Sequence, residues 1–271
     1  MINTSFIKWI LTGLLLIVVF WPTFQWMNYR FSEAESFYAH GYLIPFIAAY
    51  LIFLKRERLR NISLKPDNAG LILLLVSLAA HFFAYYFEIH FMSGLSLIAV
   101  ICGLVLYNYG ASFLRTLAFP LGFLLFMVPL PNAMTVGISF YLKILAARIA
   151  CSMIGIIVPL KNAGSLVYLP NGVLTVGAPC SGLKSLITLS ALSLLFAYLT
   201  GFSFKRRILF FLAALPVAFI ANVARVMLLI LVFYVYGSDV ALGWFHEFSG
   251  MLVFVFAFLG LALLRKFFMV F

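Results

Sequence analysis

One cysteine stands where the chain has the residue types for nucleophilic chemistry. Residues 177–184 read GAPCSGLK, so Pro179 and Ser181 flank Cys180 just before a long apolar run. Proline and serine favour the start of a helix, which predicts Cys180 at a helix N-terminus. The unpaired N–H groups and the dipole there favour an anion such as a thiolate. Cys180 is therefore a candidate nucleophile; the alternative is a buried small hydrophobic residue, as many free cysteines are.

Three polar side chains are candidates to assist this cysteine. Lys184 follows Cys180 by four residues, which predicts a positive charge on the same face of the helix. Arg225 lies inside an apolar run, and an arginine deep in a membrane costs at least about 2.5–3.5 kcal/mol, so we expect it to face a polar cavity. Asn222 precedes it by three residues and makes that face polar. The alternative for Arg225 is a side chain that extends to the lipid headgroups.

The histidines complete the set of candidates. His246 begins the last apolar run within WFHE, and histidine titrates near neutral pH, which suits proton transfer with Cys180. The alternative for His246 is a place in an aromatic belt at the membrane surface. His40 falls on the outer side, where it lines the same cavity or lies at the interface, whereas His81 is predicted to be a satisfied core residue. No two histidines have the spacing of metal ligands, so we expect no metal and no cofactor.

The composition indicates what kind of elements must position these residues. Of the 271 residues, 66% are hydrophobic and only 9% are charged. A soluble domain has about 45–50% apolar residues, so the sequence predicts an all-α, polytopic helical membrane protein. We expect a single integral-membrane domain over residues 1–271. The net charge of +11 comes from basic residues in short loops, where they set orientation in the bilayer, and does not indicate nucleic-acid binding.

Apolar runs predict nine helices with short loops, of which about eight cross the membrane. The nine segments are 6–27, 39–54, 69–88, 93–109, 113–130, 134–158, 182–203, 208–236 and 249–264. Basic clusters at 55–60, 205–207 and 265–266 mark the cytoplasmic side. The chain must cross an even number of times between the first two clusters, and five segments lie there. Segment 134–158, which carries two basic residues within its apolar run, is the best candidate for the one that does not span.

Distances along the helices predict that the candidate residues meet near the outer face. At about 1.5 Å per residue from the cytoplasmic clusters, Cys180, Arg225 and His246 lie about 37, 27 and 28 Å away. The hydrocarbon core is about 30 Å thick, so residues from three helices reach a similar level. Residues 160–177 then form an extracytoplasmic loop, in which PNG between two short apolar runs predicts a small β-hairpin.

Together these motifs resemble the exosortase/archaeosortase family. The matching residues are APCSGLK at 178–184, ANVAR at 221–225, His246, and HGYLIP at 40–45. The resemblance covers most of the chain and implies a multi-pass enzyme that processes proteins with a C-terminal sorting signal. In bacteria that signal is a Pro-Glu-Pro motif, a transmembrane helix and a basic tail. The resemblance also implies Cys180 as nucleophile, Arg225 and His246 completing the site, and a sortase-like transpeptidase reaction on an unrelated fold.

We therefore predict a cysteine transpeptidase or protease of the cytoplasmic (inner) membrane with its active site on the outer side. The predicted supporting residues are Asn222, Lys184, Ser181 and His40. The expected partners are exported proteins with the C-terminal signal and the lipid bilayer. Cys102 and Cys151 lie inside apolar runs and are predicted to be packing residues. A non-catalytic component of polysaccharide export and a small-solute transporter remain as alternatives; the first needs no reactive thiol, and the second needs two related halves.

Overall fold

The structure, a computed structural model, describes residues 4–33 and 36–270 and is built almost entirely of helices. The chain divides into two compact units, one that ends at Pro131 and one that begins at Asn132. The described residues form twelve α-helices and, in the second unit, one small antiparallel sheet. The all-α membrane architecture is confirmed. The single-domain interpretation stays a prediction.

Each unit has its own series of helices. The first contains α1 (Thr4–Val19), α2 (Trp21–Ser32), α3 (Ile44–Leu54), α4 (Arg56–Arg60), α5 (Ala69–Tyr86), α6 (His90–Tyr109) and α7 (Ala111–Phe123), with 3₁₀ turns at Ala39–Tyr42 and Leu124–Met127. The second contains α8 (Asn132–Ile154), β1 (Lys161–Ala163), β2 (Leu166–Leu169), β3 (Gly172–Thr175), a 3₁₀ turn at Ala178–Ser181, α9 (Leu183–Leu199), α10 (Phe204–Tyr236), α11 (Ser238–Leu242) and α12 (Trp244–Val270).

The first apolar segment is a bent pair of helices, not the single helix expected over 6–27. α1 ends at Val19, α2 begins at Trp21, and the two are bent by 67°. Pro22 lies in the first turn of α2, where its ring and its missing N–H interrupt a continuous helix. The carbonyl oxygen of Val19 accepts a hydrogen bond from His81 Nε2 at 3.1 Å. The bend is thus stabilised from a neighbouring helix.

His81 is a buried core residue with satisfied ring nitrogens, as the sequence predicts. Its side chain is 2% exposed, and Nδ1 lies 2.8 Å from Ser93 Oγ. A carbonyl oxygen can only accept, so Nε2 carries the ring proton and Nδ1 accepts from Ser93. Thr23 then donates to Ser93 Oγ. These side chains form a directed hydrogen-bonded chain inside the first unit.

Five helices of the described chain are long and apolar enough to cross a membrane, namely α5, α6, α8, α10 and α12 (to Lys266). The bent α1–α2 pair makes a sixth. Three further apolar helices, Ala39–Leu54, Ala111–Met127 and Leu183–Leu199, have 10–17 residues each. α8 is a continuous helix of 23 residues. Length therefore does not mark α8 as the segment that fails to span, and the shorter helices are as good candidates.

The sheet of the second unit lies between α8 and α9 in the sequence. Its strand order is β1-β2-β3, with both pairs antiparallel and Val167 opposite Leu174. The hairpin predicted at PNG is confirmed, with Gly172 as the first residue of β3. Strand β1 was not predicted, because its three residues are all exposed and show no apolar alternation. One face of the sheet packs in a hydrophobic core with Ile230 and Phe233 of α10.

Helix α10 contacts α8, α9, α11 and α12 and organises the second unit. Ala214, Ala218 and Ala221 are buried at a spacing of three to four residues, and such small side chains let neighbouring helices approach closely. Asn222 and Arg225 lie four residues after Ala218 and Ala221, so they are on the same face of α10. The face of α10 that packs against its neighbours therefore ends in the two polar residues of the candidate site.

Candidate active site

Cys180 lies in the 3₁₀ turn that precedes α9. The helix itself begins at Leu183, after Gly182 in a left-handed conformation with φ of +78°. Cys180 is thus three residues before the helix, whereas the sequence predicts it at the helix N-terminus. Ser181 Oγ accepts a hydrogen bond from the Leu183 N–H at 3.3 Å and stabilises this entry. The Cys180 side chain is 5% exposed.

Gly182 gives Asn222 access to the backbone of the nucleophile. A Cβ atom at position 182 would lie 2.7 Å from Asn222 Cγ, so no larger residue fits without movement of the helix or the turn. Asn222 Nδ2 donates a hydrogen bond to the carbonyl oxygen of Cys180 at 2.9 Å. Asn222 is itself 1% exposed. Glycine is therefore required here for its positive φ and for this close approach.

Arg225 connects the segment before α9 to the start of α12. Its Nη1 donates to the carbonyl oxygen of Pro179 at 3.0 Å, and its Nη2 donates to the carbonyl oxygen of His246 at 3.0 Å. Its Nε donates to Ser249 Oγ at 3.1 Å. The planar guanidinium serves all three acceptors at once, which a single ammonium group on a flexible stem cannot do. Arg225 therefore faces a polar cluster inside the unit, not the lipid headgroups.

The side chains of Cys180 and His246 are in contact. Sγ lies 3.3 Å from Nε2, within hydrogen-bond distance for sulfur. Arg225 Nη2 lies 3.4 Å from the same nitrogen. A thiol beside an imidazole can transfer its proton to the ring and become a nucleophilic thiolate. The fixed positive charge next to the pair stabilises negative charge on sulfur or on an attached substrate oxygen.

Ser249 is a member of this cluster that the sequence analysis missed. It is 0% exposed; its Oγ accepts from Arg225 Nε and donates to the carbonyl oxygen of His246 at 2.9 Å. It follows His246 by three residues on one helix, just as Asn222 precedes Arg225 by three on another. That spacing, which places two residues on one face, is the signal that could have found it.

Comparison with protein families identifies the chain. The family model described as transmembrane exosortase (Exosortase_EpsH) matches residues 26–263, which is most of the sequence. The chain belongs to the transmembrane exosortase family. No curated protein and no solved structure matches it significantly. The protein is thus a multi-pass membrane transpeptidase that acts in protein sorting, and the family supports exported proteins as its substrates.

The sequence also predicts two further supporting residues of the exosortase, Lys184 and His40. Lys184 is exposed. Because Gly182 is left-handed and α9 begins only at Leu183, Cys180 and Lys184 are not on one helix and do not share a helix face as expected. His40 belongs to the first unit, in the 3₁₀ turn Ala39–Tyr42, with its ring 6.3 Å from that of Tyr38. A role for either residue stays a prediction.

The remaining cysteines of the exosortase are in helices. Cys102 lies in α6 and is partly buried, and Cys151 lies in α8 within the hydrophobic core of the second unit. In the part of the chain that the structure describes, no three His, Cys, Asp or Glu side chains are close enough to share a metal ion. The residues of the cluster itself are suited to proton transfer and to binding negative charge.

Proposed function

We propose that this exosortase cleaves the C-terminal sorting signals of exported proteins through a thioacyl intermediate on Cys180. The observation that carries the proposal is the 3.3 Å contact between Cys180 Sγ and His246 Nε2. Membership in a family of membrane cysteine transpeptidases supports it. The substrate signal is a Pro-Glu-Pro motif followed by a transmembrane helix and a basic tail. The reaction takes place at the outer face of the cytoplasmic membrane.

The chemistry divides into two acyl-transfer steps. In the first, His246 accepts the thiol proton of Cys180, and sulfur attacks the carbonyl carbon of the scissile peptide bond. The C–N bond breaks as His246 gives the proton to the leaving amine, which leaves the upstream part of the substrate as a thioester. In the second, an acceptor amine or water attacks the thioester, loses its proton to His246, and the thiol is regenerated.

Arg225 orients the reacting groups and holds developing charge. A guanidinium has five N–H donors, and three of those of Arg225 have oxygen acceptors in the cluster: Pro179 O, Ser249 Oγ and His246 O. The second hydrogen of Nη2 lies beside His246 Nε2, whose lone pair takes the Cys180 proton. The second hydrogen of Nη1 remains for a substrate carbonyl oxygen. Orientation of the nucleophile and the base is thus the main role of Arg225 in this proposal, with one donor left for the oxyanion.

The proposal is tested by trapping the intermediate. Full-length enzyme in nanodiscs is incubated with a substrate protein, quenched in acid, and analysed by mass spectrometry for an acyl group on the peptide that contains Cys180. Cys180→Ala and Cys180→Ser should abolish processing without loss of membrane-inserted protein. Cys102→Ala and Cys151→Ala, which change the other two cysteines, should retain it. Full processing by Cys180→Ala would exclude covalent thiol catalysis and favour a non-catalytic export component.

A further inference from the structure

Strand β3 is the edge of the sheet that leads into the nucleophile. Its partner β2 is the central strand, so one side of β3 has no strand beside it. Thr175 is the last residue of β3, and Cys180 follows it by five residues. At no more than about 3.6 Å per residue, the two lie at most about 18 Å apart. A bound peptide of about five extended residues is thus long enough to extend from the end of this edge to the sulfur of Cys180.

The hydrogen-bond pattern of the hairpin determines which backbone groups point to the free edge. The N–H of Val176 donates to Ser165 O, so Val176 directs its backbone groups toward β2. Because the direction alternates along an antiparallel strand, Leu174 also faces β2, whereas Val173 and Thr175 face away from it. The backbone N–H and C=O groups of Val173 and Thr175 therefore form the outer edge.

These edge groups are accessible and unpaired within the described chain. Val173 is 49% exposed and Thr175 is exposed, while Leu174 between them is 2% exposed and packs in the core. Among the residues that the structure describes, neither Val173 nor Thr175 donates its N–H to a backbone or side-chain acceptor at this edge. An exposed strand edge with unpaired backbone groups is a template for a further strand.

The exposed face of the hairpin adds apolar surface next to this edge. Tyr168 of β2 and Val173 of β3 are directly opposite each other in the register, and they are 44% and 49% exposed. The opposite face is buried in the core of the second unit. A peptide that adds to β3 would thus have its alternate side chains beside Val173 and Thr175, two β-branched residues that are good cross-strand neighbours, with Tyr168 one strand further along the same face.

We propose that the substrate binds as a fourth strand along the outer edge of β3. The occupant is the extended peptide segment next to the scissile bond, and it pairs with the backbone groups of Val173 and Thr175. Strand addition of this kind takes affinity from main-chain hydrogen bonds and specificity from alternate side chains. It places the peptide in an extended form with the scissile bond within about five residues of Thr175. This inference rests on the proposed peptidase function.

The opposite edge of the same sheet provides a matched control. In β1, Lys161 and Ala163 lie opposite Tyr168 and Leu166, whose backbone groups face β1, so Asn162 between them directs its N–H to the outer side. Asn162 is exposed, and its side chain donates to Gly164 O at 3.1 Å. Asn162→Pro removes an outward N–H from an edge that does not lead to Cys180. Asn162→Ala loses the same side-chain hydrogen bond to Gly164 but keeps the N–H, so comparison of the two variants isolates the effect of the N–H.

The enzyme side of the test compares proline variants at the two edges. Val173→Pro and Thr175→Pro each remove one outward donor, at positions where the ladder to β2 does not use it. The probe is a fluorogenic peptide with the Pro-Glu-Pro motif and an apolar helix, assayed with full-length enzyme in nanodiscs. We expect each variant to raise KM roughly three- to tenfold, the scale of one lost hydrogen bond, with kcat nearly unchanged. Asn162→Pro should behave as Asn162→Ala.

The substrate side uses wild-type enzyme and so does not depend on how the variants fold. Peptides are N-methylated one residue at a time on both sides of the cleaved bond, prolines excepted. Strand pairing predicts that methylation at every second position raises KM while the positions between are tolerated. Uniform tolerance or an effect without this alternation would overturn the β3 proposal while turnover of the unmodified peptide still supports the peptidase. Absence of any turnover or thioester by wild-type enzyme would instead reject the proposed function.

Discussion

Arg225 Nη2 donates a hydrogen bond at 3.0 Å to the carbonyl oxygen of His246, the residue that begins the last helix with Trp244 and Phe245. The contact is to the backbone, so the position of the histidine is fixed independently of the orientation of its ring. The same guanidinium also binds Pro179 O, next to Cys180. One side chain thus sets the separation of the proposed nucleophile and base.

Replacement of Arg225 by lysine should separate the role of charge from that of geometry. Arg225→Lys keeps the charge, but its N–H donors all belong to one nitrogen and cannot reach acceptors that the guanidinium serves from three nitrogens, so at least one buried acceptor loses a charged donor. We expect a loss of about 3 kcal/mol in transition-state stabilisation, or roughly 100-fold in kcat/KM. Substrate processing is measured beside membrane levels of each variant. Arg148→Lys, on an exposed face of α8, is the control; equal activity of both variants would remove Arg225 from the site.

Ser249 provides a test of positioning. Ser249→Ala removes the acceptor for Arg225 Nε, and a hydrogen bond to a charged group contributes about 1.5–3 kcal/mol. We expect kcat to fall roughly 10- to 100-fold with little change in KM, since Ser249 is fully buried and bonds only Arg225 and His246 among the described residues. Ser193→Ala is a matched control, because Ser193 is also 0% exposed and also bonds the carbonyl three residues before it at 2.9 Å. A similar loss in both variants would reduce Ser249 to a packing residue.

Gly182 should tolerate no side chain. Gly182→Ala combines the cost of a positive φ, about 1–2 kcal/mol, with a Cβ at 2.7 Å from Asn222 Cγ. We expect a lower unfolding midpoint and loss of processing, because Asn222 must withdraw from the Cys180 carbonyl. Gly164→Ala has a similar φ of +64° but no atom within 4 Å of the added Cβ, so it isolates the conformational cost. If Gly164→Ala were as damaging as Gly182→Ala, the contact with Asn222 would have no special role.

The predicted orientation can be tested by labelling in intact cells. In a cysteine-free chain, Pro170→Cys at the tip of the hairpin should react with a membrane-impermeant maleimide added from outside. Arg206→Cys, in the basic cluster at the start of α10, should react only after permeabilisation. Both positions are exposed, so access is decided by the side of the membrane. Reaction of both from the same side would contradict the predicted topology.

Much of the fold could be predicted because apolar runs and turn residues act locally. The PNG turn specified the hairpin, and the nine apolar segments correspond to helices of the structure. The bend after Val19 was missed, although Pro22 was visible, because the apolar pattern continues through it. Strand β1 was missed because pairing with β2, and not its own composition, makes it a strand.

The meeting of Cys180, Arg225 and His246 could be predicted from helix lengths, since each lies a similar rise from a basic cluster. What could not be predicted is which atoms Arg225 contacts, because backbone carbonyls carry no signal in the sequence. The predicted position of Lys184 on one helix face with Cys180 differs from the structure because Gly182 is left-handed and the helix begins after it. Ser249 was overlooked because serine is common in apolar helices and only its partners distinguish it.

The placement of Asn222 and Arg225 on one turn of α10 has a mechanical consequence. Membrane helices adapt to thicker or thinner bilayers by tilting. The backbones of Pro179, Cys180 and His246 are all bonded to this one turn, so a tilt of α10 carries them as one body. The distance between Cys180 Sγ and His246 Nε2 should therefore change little with bilayer thickness. We expect the catalytic rate to vary little with lipid chain length over the range in which the protein stays inserted.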